Sequence, residues 1–180
     1  AYDLQTGRPL WEAGGPASIE EFALPLSGHF FLGAPVSDGG DLFVLTESDS
    51  EICLQALDAE TGHPKWAQPI AYADRRIDQD PNRRMWSSHL AVADGTVICP
   101  TGVGWLVAVD RTRRSVQWTY RYSPRKKQDD RNQRRFGSSG VPVEAMNQRW
   151  LVSAPVVRGE KLFFTPAETT DEANISSGTF

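Results

Sequence analysis

The sequence lacks several features that would point directly to a function. None of its apolar stretches approaches the roughly 20 residues that a membrane-spanning helix needs. The N-terminus does not lead from a charged segment into an apolar run, as a secretory signal peptide does. There are only two cysteines, Cys53 and Cys99, and their spacing matches neither a metal site nor a redox pair. The sequence leaves open whether they are free or form a disulfide.

The charge and the histidine content argue against further classes of function. The net charge of −4 argues against wholesale binding of nucleic acid. The three histidines, His29, His63 and His89, do not lie at metal-ligand spacing, and no Gly-rich phosphate loop is present. We therefore predict no catalytic residue and no metal ligand in this chain.

What the sequence does contain is a repeat. The stretch AETGHPKW at 59–66 has counterparts in YDLQTGRPLW and VDRTRRSVQW, and the tryptophans lie 55 and 52 residues apart. A second element, a Val followed by Asp or Arg and Gly, recurs at 34–39, 90–95 and 154–159. Three copies at this period predict stacked supersecondary units. The aligned residues are Asp3, Gly7 and Trp11, then Asp58, Gly62 and Trp66, then Asp110, Arg114 and Trp118.

The D-x-x-T-G segment has the chemistry of a tight turn. The Asp carboxylate can accept backbone N–H groups, and Gly adopts positive φ at no steric cost. Arg114 lacks that freedom, so we expect the third turn to be rebuilt. A Trp on the last strand of each unit offers a flat apolar face to the next unit. We therefore predict a structural docking role for the Trp, Asp and Gly residues of the repeat.

Between turn signals, short β-rich runs predict four antiparallel strands in each unit and no long helix. Two units are complete, at about 34–70 and 88–122, and two are partial, at about 1–13 and 151–180. The connections between them are insertions at 14–33, 71–86 and 123–150. The whole chain is predicted to be part of one all-β domain.

The repeat resembles the PQQ-like β-propeller repeat of the quinoprotein alcohol dehydrogenase-like superfamily. The stretch SSHLAVADGTVICPTGVGWLVAVDRTRRSVQW carries the resemblance best, and the Gly-His and Trp-Asp pairs typical of WD-type propellers are missing. The resemblance implies blades of four antiparallel strands. Since such rings have about seven or eight blades, two whole blades and two partial ones form an incomplete ring, and we expect the chain to be a fragment or to need further blades.

The resemblance also bears on chemistry. The dehydrogenases of this superfamily hold the quinone against a disulfide between adjacent cysteines, beside a calcium ion. This chain has no adjacent cysteines. We therefore predict a binding or scaffold module without bound quinone, and no cofactor. The alternative is a partial view of a quinoprotein dehydrogenase that oxidises alcohols or sugars and uses PQQ and calcium. Whether the chain is an enzyme stays uncertain, leaning towards no.

The three insertions point to a working face. They run to 20, 16 and 28 residues, and loops this long are usually functional or disordered. Because all three connect one unit to the next, alternation of the turns places them at one end of the blades. Family resemblance alone favours an extracytoplasmic location, and we expect a protein or acidic partner on the insertion-bearing face.

The third insertion is strongly basic. From Arg121 to Arg135 there are seven basic and two acidic residues. A solvated loop and a contact with an anion or acidic partner are both open interpretations. The candidate contact residues are Arg121, Arg125, Lys126, Lys127, Arg131, Arg134 and Arg135. Trp86 and Trp150 lie at the ends of insertions, where they either close the base of the loop or stack on a ligand.

Overall fold

The chain folds into antiparallel sheets with very little helix. The computed structural model describes residues 1–17, 24–122 and 153–165. The strands are β1 (Phe30–Phe31), β2 (Val36–Asp38), β3 (Asp41–Ser48), β4 (Glu51–Asp58), β5 (Pro64–Tyr72), β6 (Ala91–Ala93), β7 (Thr96–Pro100), β8 (Trp105–Asp110), β9 (Ser115–Arg121), β10 (Val156–Arg158) and β11 (Lys161–Phe163). The prediction of an all-β fold is confirmed.

The first blade consists of β1 to β5. Strands β2, β3, β4 and β5 pair in chain order, as the prediction of four antiparallel strands requires. Strand β1 is an addition that the sequence analysis missed, because it placed these residues in the insertion 14–33. The structure instead pairs Phe31 with Thr46 of β3. Pro35 lacks a backbone N–H, and β1 and β2 occupy one edge of β3 as two separate pieces.

The second blade consists of β6 to β9, paired in chain order. On either side lie smaller pieces of sheet. A bridge between Tyr2 and Pro9 closes the N-terminal hairpin, and β10 pairs with β11. Two four-stranded meanders and two partial units agree with the predicted architecture.

The inner strands β3, β4, β7 and β8 are buried on both faces because the sheets stack, whereas β9 is exposed along its length. Successive side chains of a strand point to opposite faces of its sheet. On β8, Val107 and Val109 belong to a core shared with the first blade, whereas Leu106 and Ala108 belong to a second core with β10 and β11. The near-continuous apolar run of β8 therefore follows from its place between two neighbouring sheets.

The insertion 71–86 contains the helical residues of the described chain. Strand β5 runs to Tyr72, two residues into the predicted insertion. A 3-10 turn at Ile77–Gln79 and a one-turn helix α1 at Pro81–Arg84 follow. Among the residues that the structure describes, no helix is long and apolar enough to cross a membrane.

The turn between β8 and β9 corrects one prediction. We expected Arg114 to force a rebuilt turn, but Arg114 takes up a left-handed conformation with φ of 55°, close to the 74° of Gly62. The carboxylate of Asp110 accepts the N–H groups of Thr112 and Arg113, each at 2.8 Å. These hydrogen bonds maintain the turn against a cost of roughly 1 kcal/mol for the left-handed backbone.

Candidate functional site

The two ends of the blades differ in character. We call one end the turn face: it carries the short turns at 38–41, 58–64 and 110–115. We call the other end the insertion face: it carries the turns at 48–51 and 100–105, the connection that leaves β5 and the C-terminal end of β9. Each end has polar contacts between its turns. Arg111 pairs with Asp38 on the turn face, and Ala73 donates its N–H to the Ser50 carbonyl on the insertion face at 2.9 Å.

The Asp residues of the turn face work as the sequence predicted. Oδ1 of Asp58 accepts the Thr61 N–H at 2.9 Å and the Thr61 hydroxyl at 3.0 Å. The backbone hydrogen bond from Thr61 is the largest cause that lowers the pKa of Asp58 below its usual 3.8. Asp3 repeats this geometry, with its pKa lowered chiefly by the Thr6 hydroxyl. The pKa of Asp110 is also lowered, first by the Arg113 N–H.

Trp11 lies directly over the next turn of the repeat. A Cβ atom built on Gly62 would come within 2.4 Å of the Trp11 ring. The indole Nε1–H donates to the carbonyl of Ala59 at 3.3 Å. A side chain at position 62 would therefore displace the ring. By contrast, a Cβ atom on Gly7 meets no atom within 4 Å.

The other two repeat tryptophans occupy different surroundings. Trp66 is half-buried and packs against Phe43, with ring centroids 6.0 Å apart and planes tilted by 56°. Trp118 remains 40% exposed on β9. The docking role of the repeat residues stays a prediction, and only Trp11 shows the contact with a following turn in full.

The insertion face contains a cavity that joins two of the insertions. It measures about 380 Å³ and lies between β1 and the segment that follows α1. Leu32 and Ile77 are buried in its wall, whereas its aromatic rings stay roughly half exposed. The lining residues are Phe30, Phe31, Leu32, Gly33, Ile77, Arg83, Arg84, Trp86 and Ser87.

A buried carboxylate fixes the second insertion against the first blade. Glu47 is only 1% exposed and lies near the end of β3. Its Oε1 accepts the N–H of Ile77 at 2.7 Å, and its Oε2 pairs with the guanidinium of Arg83. Arg83 also donates to the carbonyl of Arg75 at 3.0 Å. The insertion 71–86 is thus fastened to β3 by a satisfied ion pair.

The basic segment is only partly described. Arg121 closes β9, and its guanidinium lies 5.5 Å from the centre of the Trp105 ring, within the range of a cation–π contact. The other predicted contact residues fall outside the described residues, as does Trp150. They are Arg125, Lys126, Lys127, Arg131, Arg134 and Arg135.

The two cysteines do not form an adjacent pair. Cys53 and Cys99 are free thiols on separate strands. Burial raises the pKa of the Cys53 thiol to about 11 and raises that of Cys99 further, so both favour the protonated form. Within the described ranges, no three His, Cys, Asp or Glu side chains come together as metal ligands.

Sequence reasoning missed the elements that build the cavity. Phe30 and Phe31 were assigned to an insertion, and the pairing of Glu47 with Arg83 joins residues 36 positions apart. One signal was available: Glu47 lies near the end of a strand whose middle, Leu42–Leu45, is apolar, and a buried carboxylate needs a partner. No local pattern identifies Arg83 as that partner.

The stacked antiparallel blades and the Asp–Gly–Trp contacts define the chain as part of a PQQ-like β-propeller. A family model described as outer membrane protein assembly factor BamB matches residues 1–133, and the chain belongs to this family. Among solved structures the chain is similar to BamB from Moraxella catarrhalis, with 20% identity and a TM-score of 0.42. The match covers 67% of this chain and 30% of that one, so the chain spans less than a third of its length. No curated protein matches the chain.

Proposed function

We propose that this chain is a protein-binding scaffold module, part of a β-propeller that engages its partner through the insertion face. The proposal rests on one observation: residues of two insertions line the same cavity on the insertion face. The turn face, by contrast, consists of short turns in which an Asp carboxylate accepts N–H groups of its own turn, as at Asp58. Long connections on a rigid scaffold are where binding residues concentrate.

Family membership supports a protein partner. The family model is described as an outer membrane protein assembly factor, a role exercised on other proteins. We extend that role to this chain as a proposal, together with an extracytoplasmic location and with further blades that complete the ring. The basic residues between Arg121 and Arg135 favour a partner with an acidic surface.

Site-specific photocrosslinking of the full-length protein in its native cell tests this proposal. A photoreactive amino acid replaces Met85, which is 77% exposed on the insertion face, or Leu4, which is fully exposed on the turn face. We expect a discrete protein adduct from position 85 and none from position 4, with mass spectrometry to identify the partner. Equal adducts from both positions, or none from position 85, would contradict the proposal.

The dehydrogenase alternative has its own test. The full-length protein is incubated with PQQ and calcium, and reduction of a redox dye by alcohols or sugars is followed. We expect no quinone-dependent reduction above that of the buffer. Reduction that needs both the protein and the quinone would replace the scaffold with an enzyme.

A further inference from the structure

The cavity on the insertion face has the size and the walls of a binding groove. Its volume of about 380 Å³ falls within the range of roughly 300 to 1,000 Å³ seen for ligand sites. Phe30, Phe31 and Trp86 expose 44%, 41% and 46% of their surfaces respectively. Three half-exposed aromatic rings around one concavity present apolar surface that an apolar side chain can cover.

The groove is held in shape on both sides. The buried pair of Glu47 and Arg83 fixes the wall formed by the second insertion. The Ser88 N–H donates to the carbonyl of Leu32 at 2.7 Å, joining that wall to the end of β1. A Cβ atom on Gly33 would lie 2.0 Å from the Ser88 carbonyl oxygen, so the two segments touch backbone to backbone. A site held in this way is pre-organised, which lowers the entropic cost of binding.

The groove also carries an unbalanced positive charge. Arg83 is neutralised by Glu47, but Arg84, which lines the same cavity, has no carboxylate partner among the described residues. Among the lining residues that the structure describes, there is no Asp or Glu side chain. A guanidinium beside aromatic rings favours a carboxylate next to an apolar side chain.

We propose that this groove binds an acidic segment of a partner protein, with an aromatic or large aliphatic side chain between the rings and a neighbouring Asp or Glu on Arg84. The proposal deepens the function proposed above and rests on it. It commits to a peptide because the walls offer both apolar surface and a carboxylate-binding group at one place.

Fluorescence anisotropy with defined peptides tests the groove in the full-length protein. The probe is a fluorescein-labelled twelve-residue peptide with one Phe flanked by Asp and Glu, and its counterpart carries Lys at the acidic positions. We expect the acidic peptide to bind and the basic one not to. Arg84→Glu should weaken binding at least about tenfold, and Trp86→Ala about fivefold, because each removes one of the two recognition elements.

Arg8→Glu is the matched control. It makes the same change in net charge on an exposed side chain that follows the N-terminal turn. We expect it to change the Kd less than about twofold at 150 mM salt, where exposed charges are screened beyond about 8 Å. Urea unfolding of each variant shows whether the fold is retained.

Two outcomes would overturn the groove. One is that Arg84→Glu and Arg8→Glu weaken binding of the acidic peptide equally, which would show that only the overall charge of the protein matters. The other is failure of the folded protein to bind the acidic peptide at all. Neither would by itself overturn the scaffold proposal, since crosslinking from position 85 reports partner contact without reference to the peptide. If position 85 gave no crosslink but the acidic peptide still bound, the scaffold proposal would be contradicted, whereas the groove would still be a peptide-binding site.

Discussion

The turn from β4 to β5 and the turn from β8 to β9 share a backbone conformation, although their sequences have only the opening Asp in common. In both, an Asp carboxylate accepts N–H groups from the two residues that lie two and three positions further on. In both, the residue at the fifth position is left-handed, with φ of 74° for Gly62 and 55° for Arg114. The hydrogen bonds of the Asp are therefore sufficient to hold the turn with or without Gly.

The two turns differ in the residues that contact them from the neighbouring parts of the fold. Trp11 presses on Gly62, where a Cβ atom would come within 2.4 Å of the ring. At the second turn, Arg111 reaches back to Asp38 of the first blade, and Arg114 repels the nearby Lys65. The comparison indicates that Gly62 is needed for the tryptophan that covers it, more than for the turn itself.

The largest expected difference in stability concerns the tryptophans of β5 and β9, the last strands of the two blades. Trp66 packs into the core shared by the blades, whereas Trp118, at the same place in the repeat, is 40% exposed beside a unit of which the structure describes only two strands. Trp66→Ala should lower the free energy of unfolding by about 3 kcal/mol because it removes packed surface. Trp118→Ala should cost about 1 kcal/mol. Urea unfolding measures both, and equal costs would mean that the second blade buries its tryptophan equally well.

The next effect concerns Gly62, which both leaves space for the Trp11 ring and has a left-handed backbone. Gly62→Ala should cost about 2 to 3 kcal/mol, since the new methyl group meets Trp11 and the backbone is left-handed. In a Trp11→Ala background the same change should cost only about 1 kcal/mol, the backbone part alone. A double-mutant cycle from urea unfolding gives the coupling energy directly. Additive costs would show that Trp11 does not dictate the glycine.

The sequence was sufficient for the blades because their signals are local. Period-2 runs and the Asp carboxylate act within a few residues and recur with the repeat spacing, and they predict the four antiparallel strands found in each of the units 34–70 and 88–122. The cavity depends on contacts between distant segments, such as Glu47 with Arg83 and Gly33 with Ser88. Such pairings leave no periodic trace in one sequence, so the candidate groove became visible only with the fold.

The smallest effect concerns Arg114 itself. Arg114→Gly relieves a left-handed side chain, worth roughly 1 to 2 kcal/mol. The new glycine also gives the unfolded chain more freedom, which costs about 0.5 to 1 kcal/mol. We therefore expect a gain in stability of less than about 1.5 kcal/mol, seen as a higher urea midpoint at an unchanged slope. Arg114→Ala, which keeps the left-handed strain, is the control and should change stability by less than about 0.5 kcal/mol. If Arg114→Gly instead destabilised the protein by more than about 1 kcal/mol, the Arg114 side chain would contribute packing of its own, and the second turn would depend on its neighbour as much as the first.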